Sequence, residues 1–154
     1  MKKMILLTML MLSSAALINK TAAQVKVSLN VNIGSQPVWG PVGYDYVQYY
    51  YMPDINVYYY VPTAQFVYFE AGHWIFASSL PVRYRNYDLY RGYKVVINQP
   101  KAYVYNSTHK TTYVKYRGYY GKQVVIRDSK DPKYVTVNRS HANNHGNGHD
   151  KHNR

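Results

Sequence analysis

The stretch Asp45-Tyr46-Val47-Gln48-Tyr49-Tyr50-Tyr51-Met52-Pro53 is followed at once by Asp54-Ile55-Asn56-Val57-Tyr58-Tyr59-Tyr60-Val61-Pro62. Five of nine positions coincide, namely the Asp, three Tyr and the Pro, so the segment is a tandem repeat. Each copy is one extended run of aromatic and β-branched side chains closed by a proline turn, with Pro53-Asp54 suited to the middle of the first turn. Two copies are too few for a solenoid, so the repeat predicts a β-hairpin.

Strand signals continue on both sides of it. Phe66 to Glu70 and Trp74 to Ser78 read as two strands joined tightly by Ala71-Gly72-His73. Lys94 to Asn98 resumes strand character until Pro100, and Gln123 to Arg127 with Tyr134 to Val137 predicts a closing hairpin across residues 128–132. Upstream, Val25, Val27, Leu29, Val31 and Ile33 alternate with polar residues, the pattern of a half-buried strand. Gly34 and Pro37 end it, and Trp39 anchors the loop through Gly43. Pro81 to Arg91 breaks the alternation and reads as an irregular crossing segment. One helix is expected, from Asn106 or Ser107 as N-cap to Arg117, stopping before Gly118.

Composition supports the same class. Beyond residue 23 the chain has 18 Val and 5 Ile against 3 Leu and one Glu, so strong helix formers are scarce. The expected fold is mainly β: a single small antiparallel sheet domain, either a sandwich or a partly open barrel, with one short helix. A sheet wrapped around that helix fits equally well.

The residues of this region resemble a group of small, exported, Tyr-rich bacterial envelope proteins of no known activity. The likeness rests on Trp39-Gly40-Pro41, Tyr44-Asp45-Tyr46, Tyr49-Tyr50-Tyr51, Pro53-Asp54, Val57-Tyr58-Tyr59, Gly72 with Trp74, Leu80-Pro81, and Arg85 to Asp88. It continues more weakly through Gly92 to Val96 and Gln123 to Asp128. The resemblance implies export and a β-rich domain, and supplies no activity, ligand or catalytic residue.

The chain ends point to the same compartment. Lys2 and Lys3, the apolar run Met4 to Ile18 and Thr21-Ala22-Ala23 have the three parts of a secretory signal, with cleavage expected after Ala23. The run is too short for a membrane span, and no later stretch supplies one. A domain over 24–137 would follow, and then a tail, 138–154, without aromatic residues and rich in Asn and His, which is expected to be disordered. The protein is thus expected in the periplasm, at the outer membrane or outside the cell.

The 154 residues include 20 Tyr, no Cys, and a formal charge of +12. Absence of Cys excludes disulfides, thiol catalysis and Cys-ligated metal centres. Removal of the signal leaves +9, and residues 83–137 alone carry +9 against −2 in residues 24–82. A basic stripe of Lys110, Lys115, Arg117, Lys122 and Arg127, with Lys130 and Lys133 near in sequence, would attract an anionic envelope polymer or lipid headgroups. Export disfavours nucleic acid, and no binding motif for it is present.

Tyr58 and Tyr60 share one strand face, and Tyr49 and Tyr51 share a face opposite Tyr50. Displayed, the four would stack on flat ligands. Packed, they would stabilise the sheet by cross-strand pairing, and packing is the stronger reading. His141, His145, His149 and His152, spaced by four, four and three, would bind Zn, Cu or Ni with low selectivity, the only cofactor reading the sequence offers. Catalysis has little support: one Glu, scattered Asp, and only His73 and His109 in the body, with no nucleophile or phosphate-loop motif. The expected function is therefore a non-catalytic exported envelope protein with a structural or binding role at an anionic surface component. Metal binding by the tail is one alternative and a small envelope-polymer hydrolase is the other.

Overall fold

The computed structural model describes residues 32–138 except residue 136. Five strands, β1 (Tyr49–Met52), β2 (Val57–Tyr60), β3 (Gln65–Glu70), β4 (His73–Ala77) and β5 (Val95–Ile97), form one antiparallel sheet in the order β4-β3-β2-β1-β5. The described strands thus make a single open sheet, closed over by helix and loop in place of a second sheet. The predicted strand from Val25, the secretory signal and the His-rich tail lie outside the described residues.

The tandem repeat is the central hairpin. Its register pairs Tyr49 with Tyr60, Tyr50 with Tyr59 and Tyr51 with Tyr58. Pro53 to Asn56 make the turn, and Asn56 takes a left-handed backbone (φ 53°) that Asn tolerates better than most residues. Ala71 and Gly72, both at positive φ, make the two-residue turn between β3 and β4, whose twist matches that of the flanking strands.

Registers divide the side chains cleanly. One face carries the row Val96, Tyr50, Tyr59, Phe66 and Ala77 across the five strands. The other carries Val95, Tyr51, Tyr58, Val67 and Phe76, with Tyr49, Tyr60 and Ile97 beside them. Both rows need covering, because both are apolar.

Two segments supply the cover. Between β4 and β5 the chain crosses the first face from one sheet edge to the other, laying down Leu80, Tyr84, Tyr87 and Leu89. Trp39 packs there too, with its ring centroid 4.8 Å from that of Tyr59. After β5, Ala102, Tyr103 and Tyr113 cover the second face, around the α-helix α1 (Asn106–Thr112). The helix is shorter than its sequence signals suggest. It ends at Thr112 and gives way to a 3-10 turn over Val114–Tyr116, since a Thr- and Val-rich run propagates helix poorly.

The expected closing hairpin is not formed. Ile126–Asp128 and Pro132–Tyr134 are 3-10 turns, the second started by Pro132 and capped by Asp131, whose carboxylate accepts from Lys133 N–H. The backbone at Val124 to Arg127 pairs instead with the Trp39 loop. Val42 N–H donates to Val124 C=O, and the N–H groups of Ile126 and Arg127 donate to Gly40 and Val38 carbonyls. Ile126, Tyr134 and Val137 then bury a small third cluster against Ile33, Val38 and Val42.

Candidate functional site

The repeat tyrosines are interior. Tyr51 and Tyr58 are fully buried, Tyr49 is 3% exposed and Tyr60 is half-buried. As an accessible stacking row the set Tyr49, Tyr51, Tyr58 and Tyr60 is therefore corrected, because α1 and its flanking turns lie over it. The rings stack on one another across β1 and β2, with centroids 4.7 Å apart for Tyr49–Tyr60 and 4.8 Å for Tyr51–Tyr58. Burial raises the Tyr51 phenol to about 12, a rise that the positive charge of Arg117 opposes.

Their hydroxyls make a buried polar chain that no sequence pattern announced. Tyr51 Oη donates to Asn56 Oδ1 at 2.9 Å, and Asn106 Nδ2 donates to Asn56 Oδ1 at 2.7 Å and to Tyr58 Oη at 3.1 Å. Tyr58 Oη also hydrogen-bonds His109 Nδ1 at 2.9 Å, the donor of the pair being set by the ring tautomer. Burial lowers the His109 pKa, so the ring is held neutral. Asn106 thus faces the sheet and makes no N-cap bond. The arrangement fixes α1 on the sheet and contains no carboxylate.

Accessible tyrosines occur elsewhere, around the outer edge of β5. Tyr93 and Tyr116 stack at 4.5 Å with planes 7° apart, Tyr113 continues the stack at 6.4 Å, and Tyr119 meets Tyr116 edge-on at 6.0 Å. Tyr119 is 48% exposed, and the Lys115 ammonium lies 5.2 Å over the Tyr116 ring. Beside the stack runs a groove of about 360 Å³ lined by Tyr44, Tyr93, Lys94, Val95, Val96, Asn98, Tyr113 and Tyr116. Gln123 closes one end of the strand edge. Its side chain accepts from Lys94 N–H at 2.8 Å and donates to Lys94 C=O at 2.9 Å, imitating a neighbouring strand.

The basic residues do not form one stripe. Arg127 is paired with Asp128 at 2.9 Å and lies on the Tyr90 ring, Lys133 is paired with Asp45, and Arg117 Nε donates to Pro53 C=O on the β1–β2 turn. Lys110, Lys115 and Lys122 remain exposed, Lys115 against the tyrosine stack. His73, the first residue of β4, is exposed, with Nδ1 donating to Ala71 C=O. His141, His145, His149 and His152 lie outside the described residues. Among the described residues no group of three or more His, Asp or Glu could hold a metal ion, and no helix is long and apolar enough to cross a membrane.

Lys94 is the site residue that the sequence reading missed. It is 1% exposed, and its Nζ has no hydrogen-bond partner among the described residues. The ammonium sits 5.8 Å from the Trp39 ring centroid, and burial lowers its pKa to about 8 against a weaker opposing pull from Asp88. Its position two residues before Val96 was the available signal, since alternation puts both side chains on the covered first face. No protein-family model, curated protein or solved structure matches the chain.

Proposed function

We propose that the protein is a non-catalytic exported envelope protein that binds an anionic surface component through the Tyr93, Tyr113, Tyr116 and Tyr119 stack and Lys115 over it, with the exposed Lys110 and Lys122 adding positive charge. The observation that carries this reading is the partly accessible tyrosine stack with Lys115 over one ring, adjoining a groove, while both sheet faces are covered. Flat aromatic surface and nearby cations together suit a glycan or headgroup that has both an apolar face and negative charge.

The carboxylates also favour binding over chemistry. Each one among the described residues is held by a partner. Asp45 takes Lys133, Asp54 takes Tyr87 and Gly118, Glu70 takes Arg83, Asp88 takes two backbone N–H groups, Asp128 takes Arg127, and Asp131 caps a turn.

The test is co-sedimentation of the chain from residue 24 with outer-membrane and wall fractions. Retention at low salt and release at high salt are expected. A variant with Lys110, Lys115 and Lys122 replaced by Gln should lose most of its retention. Equal retention of that variant would overturn the proposal.

A further inference from the structure

Among the described residues, one stacked pair of tyrosines combines nearly parallel faces with access to solvent. Tyr49 and Tyr60 are inclined by 29° and Tyr51 and Tyr58 by 36°, and Tyr49, Tyr51 and Tyr58 are buried beneath α1 and its flanking turns. Tyr93 and Tyr116 have planes 7° apart and centroids 4.5 Å apart, and both are half-buried. Neither of their hydroxyls is among the buried atoms left without a partner, and neither bonds a described residue, so both open to water. The neighbouring rings are placed differently. Tyr113 is 6.4 Å from Tyr116 with planes 25° apart, and Tyr119 meets Tyr93 and Tyr116 edge-on, at 85° and 87°.

Parallel faces matter for one reaction of phenols. The unpaired electron of an oxidised tyrosine occupies a π orbital perpendicular to the ring, with much of its density on the carbons ortho to oxygen. Two such rings join where their faces overlap, whereas a ring met edge-on presents its nodal plane. Rings already held in contact react at a high effective concentration, so coupling within one chain outruns coupling between chains. We propose that Tyr93 and Tyr116 are a site of oxidative modification, at which the two become an intramolecular dityrosine. The co-reactant is hydrogen peroxide, used by a haem peroxidase as a one-electron oxidant. Each phenol loses one electron to the oxidant and its hydroxyl proton to water. The two radicals then form a carbon–carbon bond between one ortho carbon of each ring. Both bonded carbons release their hydrogens as protons and both oxygens regain one, while peroxide takes up two electrons and two protons and leaves as two waters. The new bond ties the turn after α1 to the residues that lead into β5. It does not depend on the binding role proposed above, since cross-linking and envelope retention are read separately.

Treatment of the full chain with peroxidase and hydrogen peroxide, followed by tryptic peptide mass spectrometry of the monomer, tests it. Cleavage after Arg91, Lys94, Lys115 and Arg117 releases Tyr93 in the peptide Gly92-Tyr93-Lys94 and Tyr116 in Tyr116-Arg117, each with a single tyrosine. The two peptides should appear joined and lighter by two hydrogens than their sum, and the treated monomer should show dityrosine fluorescence. Tyr93→Phe and Tyr116→Phe should each abolish the joined peptide, because a ring without a hydroxyl does not form the radical, whereas Tyr119→Phe should keep it. Dityrosine found only in covalent dimers, or in the monomer only through Tyr119 or Tyr120, overturns the inference. A treated monomer without the joined peptide, or a joined peptide that survives Tyr116→Phe, overturns it as well.

Discussion

Tyr58, in the second copy of the repeat, and Tyr116, just after α1, carry the same side chain in opposite surroundings. Tyr58 is fully buried, stacked on Tyr51, and its hydroxyl joins Asn106 to His109. Tyr116 is half-buried, stacked on Tyr93, with a lysine ammonium over its ring. In the first region tyrosine acts as core: a large apolar body whose polar tip finds a partner inside. In the second it forms surface held flat by its neighbours. The difference lies in what packs over each ring, and a count of tyrosines along the chain cannot reveal it.

Truncation gives the largest separation between the two. Tyr58→Ala should cost about 3–5 kcal/mol, the range for removing a buried aromatic side chain, whereas Tyr116→Ala should cost less than about 1 kcal/mol. Urea unfolding of both variants measures this, and similar losses would break the comparison.

Lys94 gives the next largest effect. Its amine falls from 10.5 to about 8 on folding. The group is a base with a depressed folded value, so the unfolded chain binds the extra proton between about pH 8 and 10.5. Its contribution to stability is therefore most unfavourable below pH 8 and is relieved as pH rises through that window, by about 3 kcal/mol in all. Lys94→Met should be more stable than the parent by up to about that amount at pH 7, with the gap narrowing by pH 9.5. Denaturant midpoints at the two pH values check it. The comparison is kept below pH 10 because buried tyrosines, whose pKa values are raised by burial, begin to act in the opposite sense above it.

Gly92→Ala sharpens the contrast from the side of the covering loop. A Cβ at residue 92 would run into the Tyr87 ring, which lies on the first face and donates to Asp54 at 3.0 Å. Displacing that ring should cost about 1–3 kcal/mol, the usual range for overpacking. The smallest effect separates the hydroxyls. Tyr58→Phe should lose about 1–2 kcal/mol by leaving His109 Nδ1 and one Asn106 donor unmatched, while Tyr116→Phe should be neutral within error. Thermal melting of the two Phe variants distinguishes them, and equal effects would mean that the chain of hydroxyls does not hold α1.

Much of the architecture was legible. The repeat gave its hairpin because two copies of a strand-and-turn unit have one simple way to pair, and Ala71-Gly72 gave the second hairpin. The irregular character of Pro81 to Arg91 was legible too, though not its role as the lid of the first face. The closing hairpin failed because Gln123 to Arg127 has a strand pattern but a nearer partner in the Trp39 loop. Helix length was overstated because the stop at Thr112 comes from weak propagation and not from a stop residue. The site was less legible. The exposed Tyr119 and the half-buried Tyr93, Tyr113 and Tyr116 are separated in sequence, and only the packing of the segments after β5 brings their rings together.

The sequence by itself determined the fold class, the central hairpin and the division of the Tyr-Tyr-Tyr runs between two sheet faces. Strand alternation is a local property of the backbone and needs no knowledge of distant residues. Tertiary structure alone decided which tyrosines are core and which are surface, that Asp128 and Asp45 neutralise part of the basic half, and that Lys94 lies buried with no hydrogen-bond partner among the described residues. Those outcomes depend on residues tens of positions apart meeting across a covered sheet, and burial and charge pairing are set by such meetings.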